Sequence, residues 1–231
     1  HHLLNTFTAN PDALIRSAYF TKDRKGRLTA GPVWDFDRAF GSLWDERSFR
    51  YNVWFGLGAA EVWDTGWWGI IAHDPEFMQE WVDRWQSLRQ AQLSNDNLIA
   101  LIKSLSANLD AAAVRDATRW PDNTSTLGSY AAQIERLKGW TTLRAEWIDA
   151  QFVAPPEVET EGNSLKFEPP EDVQLAYTLD GSDPRSLGGA IAPNAILTSS
   201  RLTAPASANI HVRSYDARQL GVYPGSPWSQ A

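Results

Sequence analysis

Apolar residues recur with one period in the middle of the chain and with another near its end. Asp74-Pro75-Glu76 reads as a helix start, and Phe77, Trp81, Trp85 and Leu88 follow at intervals of four, four and three, the stripe of an amphipathic helix facing a core. Ser94 or Asn95 is placed to cap a second helix, with Leu98, Leu101, Ile102, Leu105 and Leu109 on one face. Pro121 ends the segment that reaches Trp120. A polar loop from Asp122 to Gly128 then leads to a third helix with Tyr130, Ile134, Leu137 and Trp147 inward. At Val153-Ala154-Pro155-Pro156 the period changes to alternation, through Leu165-Lys166-Phe167, Leu175-Ala176-Tyr177-Thr178-Leu179 and Ile210 to Tyr215. The pattern predicts a linker over 153–156 and a small all-β sandwich over 157–231.

The N-terminal part is more broken. Leu3, Leu4 and Phe7 suit the end of an amphipathic helix, and Asn10-Pro11-Asp12 has the cap, proline and first-turn acid of a helix start. Ser17 to Lys22 and Arg27 to Ala30 are short β-type runs around the polar turn Asp23-Arg24-Lys25-Gly26, which predicts a hairpin. With its centre near residues 24 and 25, paired positions sum to about 49. Ser17 then lies opposite Pro32, and Asp12 returns beside Asp35 and Asp37. From Leu43 to Gly69 neither period is clear, and the many Trp and Gly residues predict an irregular aromatic-packed region. Gly56-Leu57-Gly58 lacks the preceding strand, third glycine and lysine of a phosphate loop, and Glu61 and Asp64 read as solvated or capping residues.

The chemistry concentrates in Ala30 to Gly41. Asp35 and Asp37 stand two residues apart among Trp34, Phe36 and Phe40, with Gly31-Pro32 before them and Gly41 after, a rigid loop presenting charge. Asp12 reads equally as a first-turn helix acid and as a third carboxylate of that mouth.

Composition narrows the function. The 231 residues are 43% hydrophobic with 12 Trp, which specifies packed domains, and the tryptophans read as core rather than as sugar platforms. No run of 18 apolar residues exists, and the start at His1-His2-Leu3-Leu4-Asn5 lacks the layout of a signal peptide and reads as a cut end. The absence of cysteine rules out disulfides, thiolate metal sites and a cysteine nucleophile. A net charge of −7, with no basic surplus in either part, disfavours general binding to nucleic acid or anionic membranes. One basic cluster stands apart, Lys22, Arg24, Lys25, Arg27, Arg38 and Arg47 between Arg16 and Arg50, and it reads equally as a phosphate contact and as a solvated hairpin tip.

Asn10-Pro11-Asp12, Ser17 and the run Pro32-Val33-Trp34-Asp35-Phe36-Asp37-Arg38-Ala39-Phe40-Gly41 resemble the second half of the CotH family, atypical protein kinases first known from spore-coat proteins. The likeness continues through Asp74-Pro75-Glu76-Phe77, Arg84 to Arg89, Ala113-Val114-Arg115, Arg119-Trp120 and Leu137 to Trp147, so that it covers residues 1–152. It implies an α+β protein with a mainly helical kinase-like C-terminal lobe whose hairpin carries the acidic site. It also implies phosphate transfer from ATP, with Mg or Mn, to a hydroxyl of a protein acceptor. By the same resemblance, Asp12 is the acceptor-orienting base, Asp35 the principal metal ligand, and Asp37 a second ligand or a partner of Arg38 on the nucleotide side. Ser17 follows Asp12 by five residues, the offset between catalytic Asp and metal-binding Asn in ordinary kinases, so its hydroxyl reaches toward a second metal. Magnesium takes one or two carboxylates and keeps waters, which suits this set.

Tyr177 to Arg185, Ala204-Pro205 and Trp228-Ser229 resemble the fibronectin-like C-terminal domain of chitobiases and β-hexosaminidases. Asp180-Gly181 and Asp183-Pro184 mark turns there, with a calcium site at Asp180 and Asp183 as the lesser alternative. Such a module implies a spacer or adhesion surface with a glycan or cell-surface partner, and its company with a CotH-like lobe implies a secreted or surface-located bacterial protein. Two other readings remain: a non-catalytic extracellular scaffold, and a glycosidase-associated protein in which Asp12 partners one of the paired acids.

A kinase needs a lysine and a cover over the nucleotide from an N-terminal lobe, which the sequence does not supply before His1. The 231-residue chain by itself is therefore expected to transfer no phosphate and to bind ATP and magnesium weakly; detectable kinase activity from it alone contradicts that expectation.

Overall fold

In a computed structural model the described residues are 1–43, 46–54, 62–64, 66–122 and 128–231. Trp44, Gly56-Leu57-Gly58, Glu61 and the centre of the 122–128 loop lie outside them. The architecture is α+β, with helices α1 (His2–Phe7), α2 (Glu46–Phe49), α3 (Gly66–Ala72), α4 (Pro75–Arg89), α5 (Asn95–Ala107), α6 (Asp110–Arg119) and α7 (Tyr130–Asp149). The strands are β1 (Phe20–Thr21), β2 (Thr29–Ala30), β3 (Glu157–Glu161), β4 (Ser164–Glu168), β5 (Gln174–Thr178), β6 (Ile196–Thr198), β7 (Leu202–Pro205) and β8 (His211–Tyr215). No helix among the described residues is long and apolar enough to cross a membrane. The chain divides into two compact units, residues 1–68 with 89–148, and residues 69–88 with 149–231.

The helix signals act as elementary chemistry dictates. Asp74 Oδ1 accepts from the Glu76 amide at 2.8 Å ahead of Pro75, and the Ser94 hydroxyl accepts from Asn97 at 3.3 Å. On α5 the apolar face is covered only in part: Leu98 is buried and Ile102 half-buried, but Leu101, Leu105 and Leu109 are 53–56% exposed. Periodicity identifies an apolar face without saying how far along it the cover extends, and here cover ends after the second turn. Asn10-Pro11-Asp12 likewise produces a single turn, in which the Asp12 carbonyl accepts from Arg16 at 2.8 Å, and no continuing helix.

In the first unit, α7 carries the organising contact. Trp140, Thr141, Arg144, Ala145 and Ile148 are its buried stripe, and Arg144 is fully buried. Its guanidinium donates to the carbonyls of Thr6 (2.9 Å), Phe7 (3.4 Å), Tyr51 (2.7 Å) and Val53 (2.6 Å). It also lies 4.9 Å from the ring centroid of Trp147. Burial pulls its pKa down to about 9, so it remains charged at neutral pH. Two of the four carbonyls end α1, where the helix dipole favours a cation.

In the second unit, two three-stranded antiparallel sheets, β3-β4-β7 and β6-β5-β8, share a core of Phe167, Leu175, Ala204 and Val212. Ala176, Tyr215 and Trp228 form a second cluster. Residues of α4 in this unit supply a polar stripe at helical spacing. Glu76 accepts from both Arg185 terminal nitrogens (2.8 and 2.9 Å) and from the Gly188 amide (2.7 Å). Gln79 accepts from Ser226, Asp83 accepts twice from Arg213, and Gln86 donates to the Val153 carbonyl while accepting from the Gln230 amide. Hydrogen bonds from Arg185 hold the Glu76 carboxyl below its ordinary range. Asp180 accepts from the Ser182 amide and Asp183 from the Arg185 amide and from Arg213, so both acids make turns and Asp183 is already spent on a cation. Gly181 sits at φ 79°, where a Cβ would lie 2.4 Å from the Asn209 side chain.

Each buried acceptor left unpaired costs about 1–3 kcal/mol, so Arg144→Met is expected to lower the stability of the first unit by about 3–5 kcal/mol in urea unfolding. A loss below 1 kcal/mol would show that Arg144 is not its tie.

Candidate active site

The hairpin forms one step from the expected register. Phe20 pairs with Ala30 and Thr21 with Thr29, positions summing to 50, and the Gly31 amide extends the ladder to the Tyr19 carbonyl at 2.9 Å. The ladder stops short of Ser17, which lies in the bend before β1 and is buried. From there its hydroxyl donates to Asp35 Oδ2 at 2.7 Å and its amide to the Asp12 carbonyl at 3.2 Å, so Ser17 touches both acids.

Asp35 is held from its backbone as well. The fully buried Asn10 side chain donates to the Asp35 carbonyl at 3.1 Å and to Asn5 Oδ1 at 3.3 Å. The Asp35 backbone has φ 65°, in the left-handed region that Asp tolerates better than most residues and that recurs where a site is pre-organised. The Phe40 amide donates to the Thr8 carbonyl at 2.8 Å, which pins the far end of the acidic loop to the same N-terminal stretch. Phe40 packs edge-on against Phe7 and Trp140. At Gly41, φ is 70° and a Cβ would lie 2.4 Å from the Trp140 ring, so glycine is required there. Only part of the aromatic box closes, since Trp34 beside Asp35 is 47% exposed and lies 5.5 Å from the Tyr19 ring.

Asp12 joins the site through its backbone, where its carbonyl accepts from the Ser17 amide. Its amide donates to Asn10 Oδ1 at 3.4 Å, so Asp12 and Asp35 are positioned by opposite ends of one buried amide. The Asp12 carboxylate lies 3.4 Å from Arg47, a half-exposed pair worth little in stability but sufficient to orient the acid. Asp37 is exposed and makes no hydrogen bond or ion pair with the described residues, and Arg38 is exposed. Asp37 also lines a cavity of about 320 Å³ with Phe36, Phe40, Ile134, Leu137 and Arg136.

Sequence reasoning had taken Asn10 for a helix cap and Arg47 for part of a basic cluster. Asn10 is the hub of the site. The available signal was an asparagine five residues after Asn5 in a segment otherwise apolar enough to be buried.

The donor set fits a hard divalent cation. Asp35 Oδ1 and both Asp37 oxygens are free of protein partners among the described residues, and the Ser17 hydroxyl adds a neutral oxygen. No group of three or more His, Cys, Asp or Glu suited to a metal occurs among the described residues. Magnesium commonly takes only one or two protein carboxylates and keeps waters.

Ser17→Ala removes the side-chain hydrogen bond to the Asp35 carboxylate seen among the described residues while leaving Asn10 in place. It is expected to cost about 1–2 kcal/mol of stability, whereas Gly41→Ala, which must displace Trp140, is expected to cost more than about 2 kcal/mol. Thermal unfolding of both variants checks the order, and a more stable Gly41→Ala than Ser17→Ala contradicts it.

A family model described as CotH kinase protein matches residues 2–148. No curated protein and no solved structure matches the chain. The matched stretch takes in Asn10, Asp12, Ser17, Asp35 and Asp37 together with α7 and its Arg144, and on that match the chain belongs to the CotH kinase family.

Proposed function

We propose that this chain carries the acidic half of an ATP-dependent protein kinase site, and that its acceptor is a hydroxyl on a secreted or surface protein. The observation that supports this most is the Ser17–Asp35 contact at 2.7 Å on a loop held at φ 65° by buried Asn10, inside the stretch matched by the family. In this reading Asp35 is the principal ligand for Mg or Mn and Asp37 a second one, with Ser17 presenting a neutral oxygen beside them. Divalent cations supply charge neutralisation along the phosphates.

The chain's own residues do the remaining work. Asn10 and Ser17 fix the direction of the Asp35 carboxylate. Asp12, oriented by Arg47 and by the Asn10 amide, accepts a hydrogen bond from the acceptor hydroxyl and receives its proton as the oxygen attacks. Arg38 lies next to Asp37 in sequence and is available to the nucleotide phosphates.

For residues 157–231 we propose the chitobiase-type, fibronectin-like module that the turns at Asp180-Gly181 and Asp183-Pro184 resemble, acting as a spacer or adhesion surface outside the cell. The shared core of its two sheets supports a compact sandwich for this region.

The test is calorimetry of ATP with Mg and with Mn on the natural full-length protein. Binding is expected, with at least about a tenfold loss in Asp35→Ala, equivalent to 1.4 kcal/mol. Equal binding by wild type and Asp35→Ala, or none by either, refutes the kinase reading and favours the scaffold alternative.

A further inference from the structure

The hairpin that ends at the site is charged unlike the rest of the molecule. Residues 16–27 hold Arg16, Lys22, Arg24, Lys25 and Arg27 against the single Asp23, on a chain of net charge −7; without these residues the chain would carry −11. All five cations are exposed, and among the described residues none has a hydrogen-bond or ion-pair partner for its side chain. Exposed cations elsewhere among the described residues, Arg50, Arg84, Lys103, Arg115 and Arg136, stand singly along the sequence, and others are paired, as in Lys138 with Glu135, Arg201 with Glu168 and Arg218 with Asp216. Keeping five like charges unpaired within twelve residues costs self-repulsion, which an anionic partner relieves.

Geometry restricts the partner. At about 3.3 Å per residue, Arg24 stands no more than ~23 Å from Ser17, so whatever docks on the tip is tethered close to Asp35. A nucleic acid or an anionic bilayer extends well beyond a hairpin and would meet the acidic remainder of the chain. A short acidic peptide segment would not. We infer that the Lys22–Arg27 tip is a docking surface for an acidic stretch of the acceptor polypeptide, which holds its hydroxyl near Asp12 and Asp35. The identity of the acidic segment as acceptor rests on the kinase reading; the binding itself does not.

The probe is a fluorescein-labelled decaglutamate peptide, followed by anisotropy with the 231-residue chain. Wild type is expected to bind it at low salt and to lose about tenfold in affinity when ionic strength is raised to about 0.2 M, as screening requires. The K22E/R24E/K25E/R27E variant, altered only at exposed tip positions, is expected to bind at least about tenfold more weakly, while K103E/R115E, altered at exposed cations on α5 and α6, is expected to match wild type. Binding equal in wild type and the tip variant overturns the inference, as does stronger binding of a single-stranded oligonucleotide or phosphatidylserine vesicles than of the peptide. Peptide binding that persists where nucleotide binding fails supports the docking surface and removes the kinase reading. Nucleotide binding without any peptide binding does the reverse.

Discussion

One buried cation holds the first unit together. Arg144 gathers four backbone carbonyls, two from the end of α1 and two from residues 51 and 53, onto the middle of α7. Among the described residues it meets carbonyl dipoles and the Trp147 face. A guanidinium suits this because its five donors fan out in a plane, whereas an ammonium presents a point charge. The consequence reaches the acids. The α1 segment ending at Phe7 runs directly into Thr8 and Asn10, and these pin Phe40 and Asp35. The position of the carboxylates therefore depends on a charge in the core.

The site follows a consistent division of labour. Buried neutral amides, Asn5 and Asn10, set the backbone, a hydroxyl sets one carboxylate, and the second carboxylate is left to solvent. Neutral groups near the acids leave their charge uncancelled, which a metal ligand requires. Among the described residues Arg47 touches Asp12, the residue proposed for the acceptor rather than for the metal.

Much of this was legible in the sequence, for reasons that differ by element. The hairpin was readable because a four-residue polar turn between β-type runs fixes register to within one position. The starts of α4 and α5 were readable because capping is local chemistry. The acid loop stood out through its two aspartates between glycines. What escaped depends on contacts distant in sequence: nothing near Arg144 signals that it will be buried against residues 91 to 138 positions away, and Asn10 resembles any helix cap until Asp35 is brought to it. Helix α4 misled in a similar way. Its apolar stripe was visible, but nothing local shows that Glu76, Gln79, Asp83 and Gln86 bind Arg185, Ser226, Arg213 and Val153.

The central claim is that Asp35, aimed by Ser17 and Asn10, is the metal-bearing carboxylate of a kinase site. Anomalous diffraction from crystals of the natural-length protein grown with manganese and a non-hydrolysable ATP analogue tests it directly. A manganese peak within about 2.2 Å of an Asp35 carboxylate oxygen is expected, with the Ser17–Asp35 hydrogen bond retained. A manganese peak remote from both Asp35 and Asp37, with the nucleotide bound elsewhere, would contradict it.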